Sequence, residues 1–376
     1  MKNNKVVVLG AGMVGRAMAI DMAKDTDVLA ADISASQLAI LEAKGIATVQ
    51  MNLSDAARVK EVIADADLVI GAVPGYMGFE TLKTVIEAGK NICDISFFDE
   101  DPFQLDALAK QNGVTAIMDV GVAPGMDNIL LGYHKQRMQV DTFVCLVGGL
   151  PRERQWPYEY KAPFSPIDVL EEYTRPARYV RDGQVVVMPA LSEPELMHFE
   201  GVGTLEAFNS DGLRSLIQTM PDIPNMIERT LRFPGHIELM RVLRETGFFR
   251  KDTVDVKGHS IRPIDLTTQL LFPMWKLGAE EEEFTVMRII IEGREHGEAK
   301  TYTYDLLDRY DPETKTSSMA RTTGYTCTAA ARLVLGGQYR EKGVFPPEFL
   351  GADEANVHFI LQHLQERGIH YRLTVG

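Results

Sequence analysis

Apolar and polar residues follow two rhythms along the first third of the chain. Short apolar, β-rich runs at Val6–Leu9, Asp27–Ala31, Thr48–Gln50, Asp67–Gly71, Asn91–Asp94 and Thr115–Met118 are separated by longer stretches with helical spacing. Strand followed by helix, repeated, predicts a parallel sheet wound with helices on both faces. The first run, Val6-Val-Val-Leu9, is apolar at every position and fits a strand buried on both sides. After Pro124-Gly125 the rhythm breaks into longer elements at Thr142–Gly148, Gly183–Met188, Glu283–Glu292 and Ala299–Leu306. The last two read as antiparallel strands joined by the turn Gly293-Arg-Glu-His-Gly297. Thr322–Leu335 reads as a helix of small and apolar residues ended by Gly336-Gly337, and small residues suit close packing against the first domain. The expected division is a doubly wound α/β domain over residues 1–122, an α+β substrate and dimerisation domain over 123–321, and a tail over 322–376 that returns to the first domain.

Length and charge narrow the class. With 376 residues, 45% of them hydrophobic, the chain can build two cores without disulfides or structural metals. Its 39 Lys+Arg against 53 Asp+Glu leave a net charge of −14, with no basic run to hold a polyanion, so no nucleic-acid partner is expected. Cys93, Cys145 and Cys327 are far apart and form no CxxC, which reads as three reduced thiols in a cytoplasmic protein. The start of the chain runs straight into the first strand without a leader-like apolar stretch, and no window approaches about 18 apolar residues, so no membrane segment is expected. The Glu280–Glu283 run reads as a solvated turn.

The strongest chemical signal is Gly10-Ala-Gly12-Met13-Val14-Gly15, which follows a strand and opens a helix. Gly10 permits a tight turn, Gly12 lets the backbone approach a pyrophosphate, and Gly15 lets the helix pack on the strand, the dinucleotide fingerprint of a Rossmann domain. The next strand ends in Asp32, 17 residues beyond Gly15, where a carboxylate accepts from an adenosine ribose. Ile33 and Ser34 follow with no adjacent Arg for a 2′-phosphate, so NAD is expected over NADP. Three further strand ends should face the same crevice: Val73-Pro74 with Tyr76 just beyond, Asp94 with Ser96, and Val120-Gly121 with Pro124. For Asp94, a turn role and a ligand contact stand side by side. The histidines show no HxxxH or HxH grouping with carboxylates, so no metal is indicated, and His363 and His370 read as surface residues. Neither GxSxG nor a P-loop Lys-Ser/Thr occurs, which removes those hydrolases and NTPases.

These residues resemble the saccharopine dehydrogenase/reductase-like family. The resemblance rests on the glycine motif, Val73-Pro74, Cys93-Asp94-Ile95-Ser96 and Ala123-Pro124-Gly125-Met126-Asp127-Asn128. It extends through Tyr160-Lys161, Glu171-Glu-Tyr-Thr-Arg-Pro-Ala177, Phe208-Asn-Ser-Asp-Gly212 and Thr230-Leu-Arg-Phe-Pro-Gly-His236, where the chain is most similar to the L-lysine 6-dehydrogenase branch. The resemblance implies NAD-dependent oxidation of the ε-amino carbon of L-lysine to allysine, its cyclic imine 1-piperideine-6-carboxylate and ammonia, by a homo-oligomer built on the second domain's sheet. Family relatives working on saccharopine or carboxynorspermidine supply the alternative substrates, and a non-catalytic NAD(H) sensor is the alternative from another class.

Such a reaction needs a cation for the α-carboxylate, an acceptor for the α-ammonium and a base for the reacting amine. Arg232, before the Pro234-Gly235 turn, is the first candidate for the carboxylate, with Arg241 on the following helix as the fallback. Asn209, Ser210 and Asp211 read either as an N-cap cluster for a helix beginning near Gly212 or as substrate contacts. Tyr160 and Tyr76 are further substrate contacts. Lys161 and His236 are the two candidates for the base, since a desolvated Lys or a His titrates near neutrality.

Overall fold

The computed structural model describes residues 4–278 and 280–376. The first three residues, on which the expectation of no leader rests, and Ala279, beside the Glu280–Glu283 run, lie outside the described residues. The chain forms two compact units, one holding the residues up to Arg137 together with Met319–His370, the other Met138–Ser318 together with Tyr371–Gly376.

In the first unit strands and helices alternate: β1 (Lys5–Leu9), α1 (Met13–Met22), β2 (Asp27–Asp32), α2 (Ala35–Glu42), β3 (Ala47–Gln50), α3 (Ala56–Val62), β4 (Leu68–Gly71), α4 (Gly75–Glu87), β5 (Asn91–Asp94), α5 (Asp106–Gln111), β6 (Thr115–Ile117) and α6 (Met126–Lys135). All pair in parallel, and the order β6-β5-β4-β1-β2-β3 is that of a doubly wound dinucleotide fold. Val6, Val8, Leu68 and Ile70 on one face and Val7, Leu9 and Val69 on the other are all buried, which is why the central strands β1 and β4 are apolar over Val6–Leu9 and Leu68–Ile70.

The second unit begins with β7 (Gln139–Pro151), α7 (Pro166–Thr174), β8 (Ala177–Arg181), β9 (Gln184–Met188), β10 (Glu195–Phe199), β11 (Gly203–Asn209), α8 (Leu216–Thr219) and β12 (Asn225–Arg232). It continues with α9 (His236–Glu245), a small hairpin of β13 (Val254–Val256) and β14 (His259–Ile261), α10 (Pro263–Trp275), β15 (Glu283–Glu295) and β16 (Glu298–Arg309). β15 and β16 extend beyond the runs read from the sequence because only His296 and Gly297 form the turn, both with positive φ (52° and 87°). Two left-handed residues are what a tight hairpin demands, and they leave the ladder intact up to Glu295 and Glu298. A core of Tyr173, Phe208, Leu231, Ile237, Met240, Leu271 and Trp275 joins α7, α9 and α10 to the sheet.

The chain then completes both units. α11 (Ser318–Leu335) starts four residues before the expected helix, and β17 (Gly343–Phe345) adds a parallel edge strand beside β6. α12 (Glu348–Gly351) and α13 (Glu354–Gln365) follow. A Cβ at Gly324 of α11 would stand 3.0 Å from Met18 of α1, so the small residue sets that close approach. The last strand, β18 (Tyr371–Val375), pairs with β16 in the second unit, so the expected tail over 322–376 is divided between the two units. His363 is a correction to the sequence reading: it is 4% exposed, not a surface residue, because α13 turns it toward Thr328 and Asp21. His370 is exposed.

Candidate functional site

In the first unit the site is built on the carboxyl ends of the strands. Gly10 has φ of +108°, and a Cβ there would lie 2.3 Å from the Ala72 carbonyl; at Gly15 it would lie 2.0 Å from the Gly10 carbonyl. Neither position admits a side chain. A Cβ at Gly12 would meet nothing within 4 Å, and α1 begins immediately after it, Met13 and Val14 half-buried in a first turn without acidic residues. These features fit a pyrophosphate held by the positive end of α1. Asp32 is tied into the loop: one carboxylate oxygen accepts from the Ala11 N–H (2.6 Å), the other from the Ser34 N–H (2.7 Å). Arg16 reaches from α1 to Gln37 on α2 (2.9 Å), so a guanidinium carried by α1 lies beside α2 although no Arg follows Asp32 in sequence.

The neighbouring strand ends divide between positioning and exposure. Val73 is buried and Pro74 precedes α4, on whose first turn Tyr76 stands 81% exposed. Asp94 is fully buried, accepting from the Ser96 N–H (2.8 Å) and the Ser96 hydroxyl (3.3 Å). Of its two readings, the turn role is the one these bonds express. A Cβ on Gly71 would stand 1.8 Å from the Asp94 carboxylate, so the glycine makes room for the acid. Val120 and Gly121 are buried after β6, and Gly121 accepts from the Met126 N–H (3.1 Å) to close the loop that carries Pro124.

In the second unit the sequence candidates separate. Arg232, at the end of β12, is 2% exposed and already bound: Nε donates to the Tyr173 hydroxyl (2.9 Å), one Nη to the Leu231 carbonyl (3.0 Å), the other to the Tyr160 hydroxyl (3.4 Å) and the Glu172 carboxylate (2.5 Å). The guanidinium also sits over the rings of Tyr160 (4.5 Å), Tyr173 (5.6 Å) and Phe208 (5.9 Å). Burial works against its charge, but Tyr160, Tyr173 and Glu172 outweigh burial and keep it protonated.

His236 opens α9 after Gly235, which takes the left-handed conformation (φ +95°). Its Nδ1 lies 2.9 Å from the Tyr158 carbonyl, which only accepts, so Nδ1 carries the proton. Nε2 therefore accepts from the Tyr173 hydroxyl (2.9 Å), which in turn accepts from Arg232. The result is a directed chain, Arg232 to Tyr173 to His236 to the Tyr158 carbonyl. Burial first, and Arg232 second, push the His236 imidazole down to about 3. At neutral pH it is uncharged, with both nitrogens engaged, which corrects the reading of His236 as a base titrating near neutrality.

The remaining candidates are tied elsewhere. Lys161 pairs with Glu281 (3.6 Å). Arg241 lies on the exposed side of α9 beside Glu238 (3.8 Å). Asp211 grips Arg178 through both oxygens, each at 2.8 Å. The Ser210 hydroxyl accepts from Thr230 (2.8 Å), and Asn209 donates to Ser192 (3.1 Å) and Glu193 (2.8 Å). None of the three caps a helix, since α8 starts only at Leu216 with Ser215 before it. Glu172 stands in the sequence analysis only as part of the Glu171–Ala177 motif and without a role, because its partner Arg232 lies 60 residues away and no spacing links the two.

Comparison with known proteins agrees with this architecture. Residues 6–117 match the family model described as the saccharopine dehydrogenase NADP binding domain, and residues 121–369 the one described as the saccharopine dehydrogenase C-terminal domain. The saccharopine dehydrogenase [NADP(+), L-glutamate-forming] of Pyricularia oryzae is 25% identical over 271 residues, covering 66% of this chain and 58% of that protein. The Saccharomyces cerevisiae enzyme of the same name is 23% identical, with 67% and 60% covered, so the chain spans about three-fifths of these two relatives. The carboxyaminopropylagmatine dehydrogenase of Synechocystis is 24% identical over 99% of this chain and 98% of its own length. Among solved structures, apo saccharopine dehydrogenase (L-Glu forming) from Saccharomyces cerevisiae shares the fold, with a TM-score of 0.80 at 20% identity over 99% of this chain and all of that one. Matched over both its dinucleotide unit and its second unit, this chain belongs to the saccharopine dehydrogenase family, whose first domain binds a nicotinamide dinucleotide.

Proposed function

We propose that this chain oxidises the ε-amino carbon of L-lysine with NAD, giving allysine, its cyclic imine and ammonia. The observation that carries the substrate choice is the state of the cations. Arg232, Arg178, Arg229, Arg241 and Lys161 of the second unit each have a carboxylate partner within 4 Å. A substrate with several carboxylates needs uncommitted cations, whereas lysine brings two ammonium groups and one carboxylate, which suits a site whose charges are balanced by acids. Asp32 at the end of β2, read as the acceptor for a ribose hydroxyl, supports NAD as the cofactor. When bound, the nicotinamide supplies the hydride acceptor, and the chain's own task is to hold the amine carbon about 3–3.5 Å away and to take the ammonium proton. Assembly into a homo-oligomer through the second unit's sheet belongs to the same proposal.

A second reading, a carboxyaminopropylagmatine-type secondary amine as substrate, is favoured by the end-to-end match with the Synechocystis enzyme. One experiment separates the two. The purified chain is mixed with NAD or NADP and each of lysine, ornithine, saccharopine, carboxynorspermidine and carboxyaminopropylagmatine, and reduced nicotinamide is followed by absorbance. Turnover with lysine and NAD is expected. A signal with a secondary amine and none with lysine sinks the first reading, and tight NADH binding with silence across the panel points to a sensor.

A further inference from the structure

We propose that Glu172 is the group that receives the substrate ammonium and takes its proton, an inference that rests on the amine chemistry proposed above. In the network around Arg232, Tyr160, Tyr173, His236 and Trp275 are at most 3% exposed. Glu172 keeps 23% of its side chain exposed, so it is the point at which this buried network meets the surface of the second unit.

The network also disqualifies its other members as acceptors. His236 has a proton on Nδ1 and a donor on Nε2, and adding a second proton would bury an imidazolium beside Arg232. Burial pushes the Tyr160 and Tyr173 hydroxyls well above their usual range, so both stay protonated. Arg232 cannot accept, and the Lys161 ammonium is held by Glu281. What remains is a carboxylate fixed in one orientation by Arg232, on a helix whose next residue, Tyr173, is bonded to both Arg232 and His236.

The groups that face Glu172 are Arg232 from β12, Tyr160 from the segment before α7, and Tyr173 and Asp168 from α7 itself. Burial raises the proton affinity of Glu172, Arg232 lowers it, and Asp168, one turn earlier, raises it further. The net direction is upward, as a carboxylate needs if it is to accept a proton from an alkylammonium. In the step, an N–H bond of the ammonium breaks and an O–H bond forms on Glu172, leaving a neutral amine with its lone pair. The carboxylic acid then releases that proton to solvent through its exposed edge, and in the reverse direction it returns the proton to the amine.

The test uses the full chain and two variants, Glu172→Gln and Glu172→Asp. Thermal melting and NADH binding by fluorescence report the fold, lysine binding to the cofactor-free chain is measured by calorimetry, and kcat/KM for lysine is followed from pH 6 to 10. Glu172→Gln is expected to bind NADH like the parent, lose about 100-fold or more in kcat/KM, and lose the rising limb of the pH profile. Glu172→Asp should keep that limb, displaced in pH, and it carries the test if Glu172→Gln does not fold. A Glu172→Gln profile parallel to the parent's at every pH, or activity within about threefold of it, overturns the proposal. If the parent oxidises no amine in the panel, the functional reading has failed and calorimetry decides: lysine binding lost in Glu172→Gln keeps the ammonium site, and equal binding removes it.

Discussion

A guanidinium as deeply buried as that of Arg232 survives in the fold because its charge is answered at once by a carboxylate, two phenol oxygens and a carbonyl. The Tyr173 hydroxyl is the joint of that arrangement, accepting from Arg232 and donating to His236. Tyr173→Phe leaves a buried donor and a buried acceptor unmet and should cost about 1–3 kcal/mol, read as a lower midpoint in urea unfolding. Asp32 is the corresponding joint of the glycine loop. Asp32→Ala removes the anchor for the Ala11 N–H and the acceptor proposed for the ribose, and NADH affinity measured by fluorescence titration should fall about tenfold or more, given about 1.5–3 kcal/mol for a charged hydrogen bond. An Asp32→Ala chain that binds NADH as tightly as the parent removes the ribose assignment. Arg16→Ala, titrated with NADH and NADPH in parallel, is expected to bind NADH like the parent, and a loss confined to NADPH would assign the Arg16 guanidinium beside α2 to a 2′-phosphate.

At the scale of elements, the first sheet was readable in the sequence and the site network was not, for one physical reason. The central strands β1 and β4 announce themselves through local runs that must be apolar because both faces are covered, and Gly10 and Gly15 through contacts that exclude any side chain; the edge strand β3 has no buried residue and is marked only by the strand–helix rhythm. Arg232, Glu172, His236 and Trp275 meet only through tertiary packing of α7, α9 and α10, and no local pattern encodes a partner 60 residues away. Asn209–Asp211 looked like a cap because Gly212 follows, yet Asp211 spends its charge on Arg178 instead. The buried His363 belongs to a second hidden network, in which α1, α11 and α13 converge on Asp21. Arg332 (2.9 Å), Arg367 (2.8 Å), Lys24 (3.0 Å) and the Thr328 hydroxyl (2.7 Å) all reach its carboxylate. Burial would raise the Asp21 carboxyl, but the two arginines outweigh burial and hold it well below the usual carboxylate range. Asp21→Asn leaves Arg332 with Asp25 but takes from the largely buried Arg367 its close carboxylate, and should cost about 3 kcal/mol, visible as a fall in melting temperature.

For the whole molecule, two buried imidazoles contribute to the acid limit. His236 and His363 are each pushed down to about 3, chiefly by burial, so between about 3 and the usual 6.5 the unfolded chain binds protons that the folded chain refuses. Stability therefore falls as pH drops below about 6.5, by up to about 1.4 kcal/mol per pH unit for each histidine. Melting temperatures taken from pH 7 to 4 should show this slope, and His363→Gln should make it shallower; an unchanged slope excludes His363 as a contributor. The first unit takes its edge strand β17 and the arginines around Asp21 from residues beyond 318. A fragment ending at residue 317 should accordingly lose cooperative melting followed by circular dichroism. The same chain order bears on biosynthesis. About 180 residues of the second unit are translated between Arg137 and Met319, and at roughly 5–20 residues per second the nascent dinucleotide unit waits on the order of 10–40 seconds for its last strand and helices. During that interval the β6 edge is open and the Asp21 carboxylate lacks its arginines, so the nascent unit presents an unpaired sheet edge of the kind that invites pairing with other chains.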